Sequence, residues 1–172
     1  MDLIYWIGGI AAAAYLYQYY QKTQKEGDGK SGLKVPDGRV SADKISEILE
    51  DFNPRGTNEA DVQKQLNGFL RKRVEHVRRE YTVEQGTRID FDLGNGEVGL
   101  EVKMGKQLRR ANGRQRMLGQ VHTYLKNKYE EKEVIILVVN SPELNDDNAW
   151  KADIQEDLEG AGATVVFLES KR

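Results

Sequence analysis

The stretch from Arg88 to Lys103 reads RIDFDLGNGEVGLEVK, and its hydropathy pattern decides the fold of the chain. Apolar residues occupy every second position on both sides of a Gly-Asn-Gly segment: Ile89, Phe91, Leu93, Val98, Leu100 and Val102. A period of two is typical of half-buried strands, and an Asn-Gly dipeptide between two such runs favours a tight hairpin. The stretch therefore predicts two antiparallel strands with one apolar face and one polar face.

The register of this hairpin follows from its turn. If Asn95–Gly96 forms the centre of a type I′ turn, Asp90 lies opposite Glu101 and Asp92 lies opposite Gly99, all on the polar face. Directly opposed like charges destabilise a sheet unless a cation lies between them. We expect Gly99 to leave room there for an ion or a phosphate group.

Such a pair of carboxylates can bind one divalent ion. The sequence has no cysteine and two histidines, which excludes a thiolate zinc site, a disulfide framework, a cysteine nucleophile and a His-rich metal site. Carboxylates favour hard ions such as Mg²⁺ or Mn²⁺. Lys103, two residues beyond Glu101, can then stabilise negative charge that develops near the metal.

The elements outside the hairpin alternate helices with strands within 172 residues, the size of one domain with an appendage. The predicted helices are a short one capped by Ser41 and others over 58–77, 112–129 and 147–160; the predicted strands run from Val134 to Val139 and from Thr164 to Leu168. Because the continuous apolar run 134–139 needs cover on both faces, this order indicates an α/β sandwich around a mixed sheet.

The segment after the hairpin is strongly basic although the whole chain has a formal net charge of -2. No acidic residue occurs between Glu101 and Glu130, where the basic residues are Lys103, Lys106, Arg109, Arg110, Arg114, Arg116, Lys126 and Lys128. An ordinary solvated helix mixes both signs of charge. The segregation therefore predicts contacts with a polyanionic backbone, and hence nucleic acid as a partner.

The hairpin and the helix that follows resemble the PD-(D/E)xK nuclease superfamily. The resemblance rests on Asp90, on the Glu101-Val102-Lys103 motif, and on Gln120 and Tyr124, which are similar to the QxxxY motif of its RecB-like branch. It covers about residues 57–168 and implies a restriction-endonuclease-like αβββαβ core. Ile89 stands where many members have proline before the acidic residue.

The resemblance also implies roles for single residues. Asp90, Glu101 and the Val102 carbonyl would bind Mg²⁺, with Mn²⁺ as an alternative, and Glu59 would join them, with Asp61 as the fallback. Lys103 would position or activate the attacking water, and Gln120 would orient the site. Residues expected to contact nucleic acid are Lys106, Arg109, Arg110, Arg114, Arg116 and Tyr124, although Tyr124 can equally fill the core.

The N-terminal residues 3–20 are uncharged and mostly apolar. A helix of this length spans about 27 Å, close to the thickness of a hydrocarbon core, and the aromatic residues at both ends resemble interfacial belts. Lys22 and Lys25 would place the C-terminal side in the cytoplasm. Two alternatives stay open: a cleaved signal, or a helix packed on this protein or on a second copy through its small residues, which are Gly8, Gly9, Ala12 and Ala13.

The sequence thus predicts three segments: a hydrophobic helix over 1–21, a flexible Gly- and Lys-rich linker over 22–40, and a nuclease-like domain over 41–172. The hypothesis is a Mg²⁺-dependent nuclease on the cytoplasmic side of a membrane, with DNA favoured over RNA as the expected substrate. The alternative is an inactive relative that binds nucleic acid or protein. A homo-oligomer is also left open.

The membrane hypothesis predicts a clear fractionation result. The full chain is expected to sediment with membranes and to resist carbonate extraction, whereas a shortened chain starting at Ser41 is expected to stay in the supernatant, because the linker shares no periodic apolar face with the domain. A full chain that is extracted by carbonate, together with a shortened chain that unfolds, would assign residues 3–20 to the fold or to an oligomer interface.

Overall fold

The computed structural model describes residues 39–84 and 86–171, and a five-stranded sheet lies at their centre. The strands are β1 (Arg78–Glu84), β2 (Thr87–Leu93), β3 (Val98–Met104), β4 (Val134–Asn140) and β5 (Thr164–Glu169), in the spatial order β1-β2-β3-β4-β5. β1, β2 and β3 pair antiparallel, whereas β3, β4 and β5 pair parallel. The predicted α/β fold with a mixed sheet is confirmed.

Helices cover both faces of the sheet. They are α1 (Ala42–Glu50), α2 (Glu59–Leu70), α3 (Gly105–Leu108), α4 (Ala111–Asn127), α5 (Pro142–Asn145) and α6 (Asn148–Gly160). Apolar residues of α1 and α2 pack on one face, and those of α4 and α6 pack on the other. β4 contributes side chains to both layers and is buried along its whole length, as its continuous apolar run predicts.

The hairpin register is confirmed, and the turn differs in detail. Asp92 pairs with Gly99 and Leu93 with Val98. The Gly96 N–H donates to the Leu93 carbonyl over 3.2 Å, so Gly94 and Asn95, at φ 62° and 61°, are the central residues of the turn instead of Asn95 and Gly96. Val40 packs so closely that a Cβ on Gly94 would lie 2.7 Å from its Cβ.

The apolar face of β2 is broken at Ile89. Phe91 and Leu93 pack with α1 and α2, but Ile89, predicted on the same face, packs with Val121 and Tyr124 on the opposite face. The paired run between β2 and β3 stops at Phe91, so Ile89 lies outside the ladder that sets this alternation. Ile89 then covers Gly99, whose added Cβ would lie 2.6 Å from the Ile89 Cδ1, so the predicted space for an ion at Gly99 is absent.

The predicted helix over 58–77 is too long, because α2 ends at Leu70. Val74 and Val77 continue the apolar spacing of the helix beyond this point, which explains the error. The chain instead reverses through His76, at φ 53°, and enters β1. This places β1 against β2 at the edge of the sheet.

The end of β5 is tied to the segment between α1 and α2. The Ser170 hydroxyl donates to the Gly56 carbonyl over 2.7 Å, and the Lys171 N–H donates to the Pro54 carbonyl over 2.9 Å. These contacts hold residues 54–57 over the carboxyl end of the parallel strands.

The predicted N-terminal helix and most of the linker lie outside the described residues. Within residues 39–84 and 86–171, no helix is both long and apolar enough to cross a membrane.

Asp92 is the centre of a buried polar cluster beside the hairpin. Its side chain is fully buried and accepts from the Arg78 Nε at 2.8 Å, the Lys128 Nζ at 2.9 Å and the Tyr129 hydroxyl at 2.7 Å. Lys128 also lies over the Tyr81 ring, 3.8 Å from its centroid. The cluster therefore joins β1, β2 and the end of α4.

This cluster predicts a large loss of stability in the variant Asp92→Ala. The variant leaves the Lys128 ammonium and the Tyr129 hydroxyl without their buried acceptor, so its free energy of unfolding should fall by about 3 kcal/mol. Urea-induced unfolding followed by circular dichroism measures this, with the exposed Asp153→Ala as a control expected within about 0.5 kcal/mol of the parent protein. Equal losses in both variants would contradict the cluster's stabilising role.

Candidate active site

The two predicted metal-binding carboxylates lie together where the β2–β3 ladder ends. The Val102 N–H donates to the Asp90 Oδ2 over 2.8 Å, and the Asp90 N–H donates to the Glu101 Oε2 over 3.2 Å. Each carboxylate thus binds a backbone donor of the neighbouring strand. The two side chains are fixed by the contacts that continue the sheet.

Lys103 and Glu59 complete the cluster. The Lys103 Nζ lies 2.6 Å from the Glu101 Oε1 and 3.3 Å from the Glu59 Oε1. Glu59 is the first residue of α2, which is capped by Asn58 and carries the acidic side chain to β3. Asp61, the fallback for Glu59, is exposed and binds Asn58 instead.

Tyr124 contacts the cluster from α4. Its side chain is fully buried on α4, and its hydroxyl lies 2.7 Å from the Arg88 carbonyl and 3.1 Å from the Glu101 Oε2. The Gln120 Nε2 donates to the same hydroxyl over 3.4 Å. Of the two alternatives for Tyr124, this burial fits the one in which the residue fills the core, and its hydroxyl supports Glu101.

The charges of the cluster alter the protonation of its members. Burial, and then repulsion from Glu101, raise the pKa of Asp90 to about 7, although the Val102 N–H opposes this. Burial alone would lower the pKa of Lys103, but the charges of Glu101 and Glu59 outweigh it and raise that pKa. Burial and the Glu101 charge also raise the pKa of Tyr124. Near neutral pH, Lys103 is thus an ammonium and Tyr124 a neutral hydroxyl.

A cleft of about 660 Å³ opens beside Glu59 and Lys103. Its other wall is the start of α4, where Arg110, Arg116 and Gln120 line it. Further lining residues are Gln107, Leu108, Ala111, Asn112 and Gly113. The first turn of α4 contains no acidic residue, and the helix dipole there adds positive potential. The cleft thus has Glu59 and Lys103 of the cluster on one side and cationic groups on the other.

The predicted basic residues divide into two groups in space. Arg110 and Arg116 line the cleft, whereas Arg109 lies 3.1 Å from Asp147 and Arg114 lies 3.0 Å from Asp157. Lys106 donates to the Thr57 carbonyl over 3.2 Å. Sequence reasoning missed the two acidic partners because they lie more than 35 positions further along the chain.

The residues of the cluster fit a hard divalent ion by their chemistry. Glu59, Asp90 and Glu101 supply carboxylate oxygens, and the Glu59 Oε2 is buried without a hydrogen-bond partner. In the described part of the chain, no group of three or more acidic, histidine or cysteine side chains is arranged to hold a metal. Here the Lys103 ammonium binds both Glu59 and Glu101. The role of the Val102 carbonyl as a ligand stays a prediction.

Comparison of the chain with protein-family models, with curated proteins and with solved structures gives no match.

Proposed function

We propose that this chain is a Mg²⁺-dependent nuclease, with Mn²⁺ as an alternative ion, that hydrolyses phosphodiester bonds of nucleic acid, with DNA as the proposed substrate. The observation that supports this most directly is the convergence of Asp90, Glu101 and Lys103 with Glu59 beside a cleft lined by arginines. These residues match the motif of the PD-(D/E)xK superfamily in order and spacing. An anchor formed by residues 3–20 would hold the enzyme at the cytoplasmic side of a membrane.

The proposed chemistry assigns each residue a distinct task. Glu59, Asp90 and Glu101 would hold Mg²⁺, which supplies Lewis-acid polarisation of a phosphoryl oxygen when it is bound. Lys103, whose ammonium lies beside Glu59 and Glu101, would position or activate the attacking water and donate to negative charge that develops on the phosphoryl oxygens.

Tyr124 and Gln120 act on the reaction through other residues. The Tyr124 hydroxyl holds the Glu101 carboxylate at 3.1 Å, and Gln120 in turn contacts that hydroxyl while lining the cleft. Tyr124 is thus a positioning residue. Arg110 and Arg116 supply positive charge where a phosphate backbone would enter.

The proposed metal ligands predict the outcome of a plasmid-nicking assay with Mg²⁺. Asp90→Ala and Glu101→Ala should each lower the rate by about 100-fold or more, because a bound metal contributes several kcal/mol of transition-state stabilisation. Glu59→Ala should also lower the rate, whereas Asp61→Ala on the same helix should retain it. Circular dichroism checks that every variant is folded.

Two results would contradict the nuclease proposal. One is a parent protein that binds DNA but never nicks it with Mg²⁺ or Mn²⁺, which would favour the inactive binding module. The other is nicking that persists unchanged in EDTA or in both Asp90→Ala and Glu101→Ala, which would assign the activity to another site or to a contaminant.

The spatial division of the arginines predicts unequal effects on DNA binding. Neutralising Arg110 and Arg116 together to Gln should flatten the dependence of log K on log salt by up to about two units, if each contacts one phosphate. The matched control neutralises Arg109 and Arg114, which already face Asp147 and Asp157 and should change the slope less. Fluorescence anisotropy at several salt concentrations measures both slopes, and equal slopes would contradict the division.

A further inference from the structure

A second cavity of about 460 Å³ lies at the carboxyl end of the parallel strands. Its floor is apolar and consists of Met104 from β3, Val139 from β4 and Leu144 from α5, all of them buried. The volume lies within the range of small-molecule sites, about 300–1,000 Å³. Crevices outside the carboxyl ends of parallel strands are where open α/β sheets commonly bind ligands.

The rim of this cavity is cationic. Arg55, Lys106 and Lys171 line it and are exposed. Among the lining residues that the structure describes, none is acidic. An apolar floor beneath three positive charges suits a ligand with one flat, uncharged part and one anionic part.

The cavity adjoins the candidate active site. Thr57 and Lys106 line the cavity, while Glu59 and Lys103 line the catalytic cleft, and the Lys106 Nζ donates to the Thr57 carbonyl on the boundary. Two residues span at most about 7 Å of chain. A polynucleotide lying across the cleft can therefore reach the cavity with a neighbouring nucleotide.

We propose that this cavity binds a nucleotide, with its base on the Met104–Val139–Leu144 floor and its phosphate at Arg55, Lys106 and Lys171. The inference rests on the proposed nuclease function and assigns it a substrate class: nucleic acid with an unpaired nucleotide beside the bond to be cut. A base inside a duplex cannot reach the floor, because its faces are stacked and its edge is paired. The same chemistry would also admit a free mononucleotide.

The test uses the full chain in detergent and EDTA, so that binding is measured without hydrolysis. Fluorescence anisotropy compares a short single-stranded oligothymidylate with an abasic oligomer of the same length, and thymidine monophosphate forms a separate arm. Ser141→Trp fills the cavity from its rim, and Ala152→Trp adds the same side chain at an exposed site of α6 as a control.

The proposal expects Ser141→Trp to weaken oligothymidylate binding by about tenfold and to leave the abasic oligomer unchanged. Ala152→Trp should change neither. If Ser141→Trp weakens only the binding of thymidine monophosphate, the ligand of the cavity is a free nucleotide. That result supports the proposed ligand chemistry, with a mononucleotide in place of a polynucleotide. No effect of Ser141→Trp in either arm would overturn the proposal.

A second variant keeps the test decisive if Ser141→Trp does not fold. Lys171→Gln should weaken both oligomers and thymidine monophosphate, whereas Lys64→Gln, an exposed lysine on α2, should not. If Lys171→Gln leaves the binding of both oligomers and of thymidine monophosphate unchanged, the proposal is wrong. These binding measurements are separate from the nicking assay. If the parent protein nicks plasmid but none of these variants alters binding, the proposed nucleotide site is refuted and the proposed nuclease function is not.

Discussion

The site depends on one constraint. The side chains of Asp90 and Glu101 must accept the hydrogen bonds at the end of the β2–β3 ladder and also lie close to each other. Asp90 and Glu101 replace the backbone pairing that stops at Phe91 and Leu100, and each binds an N–H of the opposite strand. Their burial and mutual repulsion are unfavourable, and Lys103 offsets part of this. The same hydrogen bonds therefore define both the sheet and the site, so neither can shift alone.

Two aspartates of β2 show how surroundings separate identical side chains. Asp92 is enclosed by Arg78, Lys128 and Tyr129, which satisfy both of its oxygens. Asp90, two residues earlier, receives one backbone donor at Oδ2, and burial together with the Glu101 charge raises its pKa. The Asp92 carboxylate thus joins β1 and the end of α4 to the hairpin. Among the described residues, no cationic side chain forms an ion pair of this kind with the Asp90 carboxylate. That difference favours Asp90 as the functional residue.

The register of the hairpin was accessible from the sequence because it depends on local alternation and on one turn. The wrong choice of central turn residues did not alter the register, because residues 94–97 form a four-residue loop and Leu93 still pairs with Val98. The face on which Ile89 lies could not be predicted from the sequence, because it depends on where the β2–β3 pairing stops. The pairing of Arg114 with Asp157 was also hidden, since α4 and α6 meet only in the folded chain. Spacing along the chain does not encode such contacts.

The tie between residues 54–57 and the end of β5 has a consequence for synthesis on the ribosome. Ser170 and Gly56 are separated by 114 positions, so the wall that carries Thr57 and leads into Glu59 gains its support only after β5 has emerged. α1 and α2 are synthesised first. Their apolar faces stay uncovered until the sheet on which they pack has formed. The segment 54–57 therefore gains this contact only once nearly all of the described domain has left the exit tunnel.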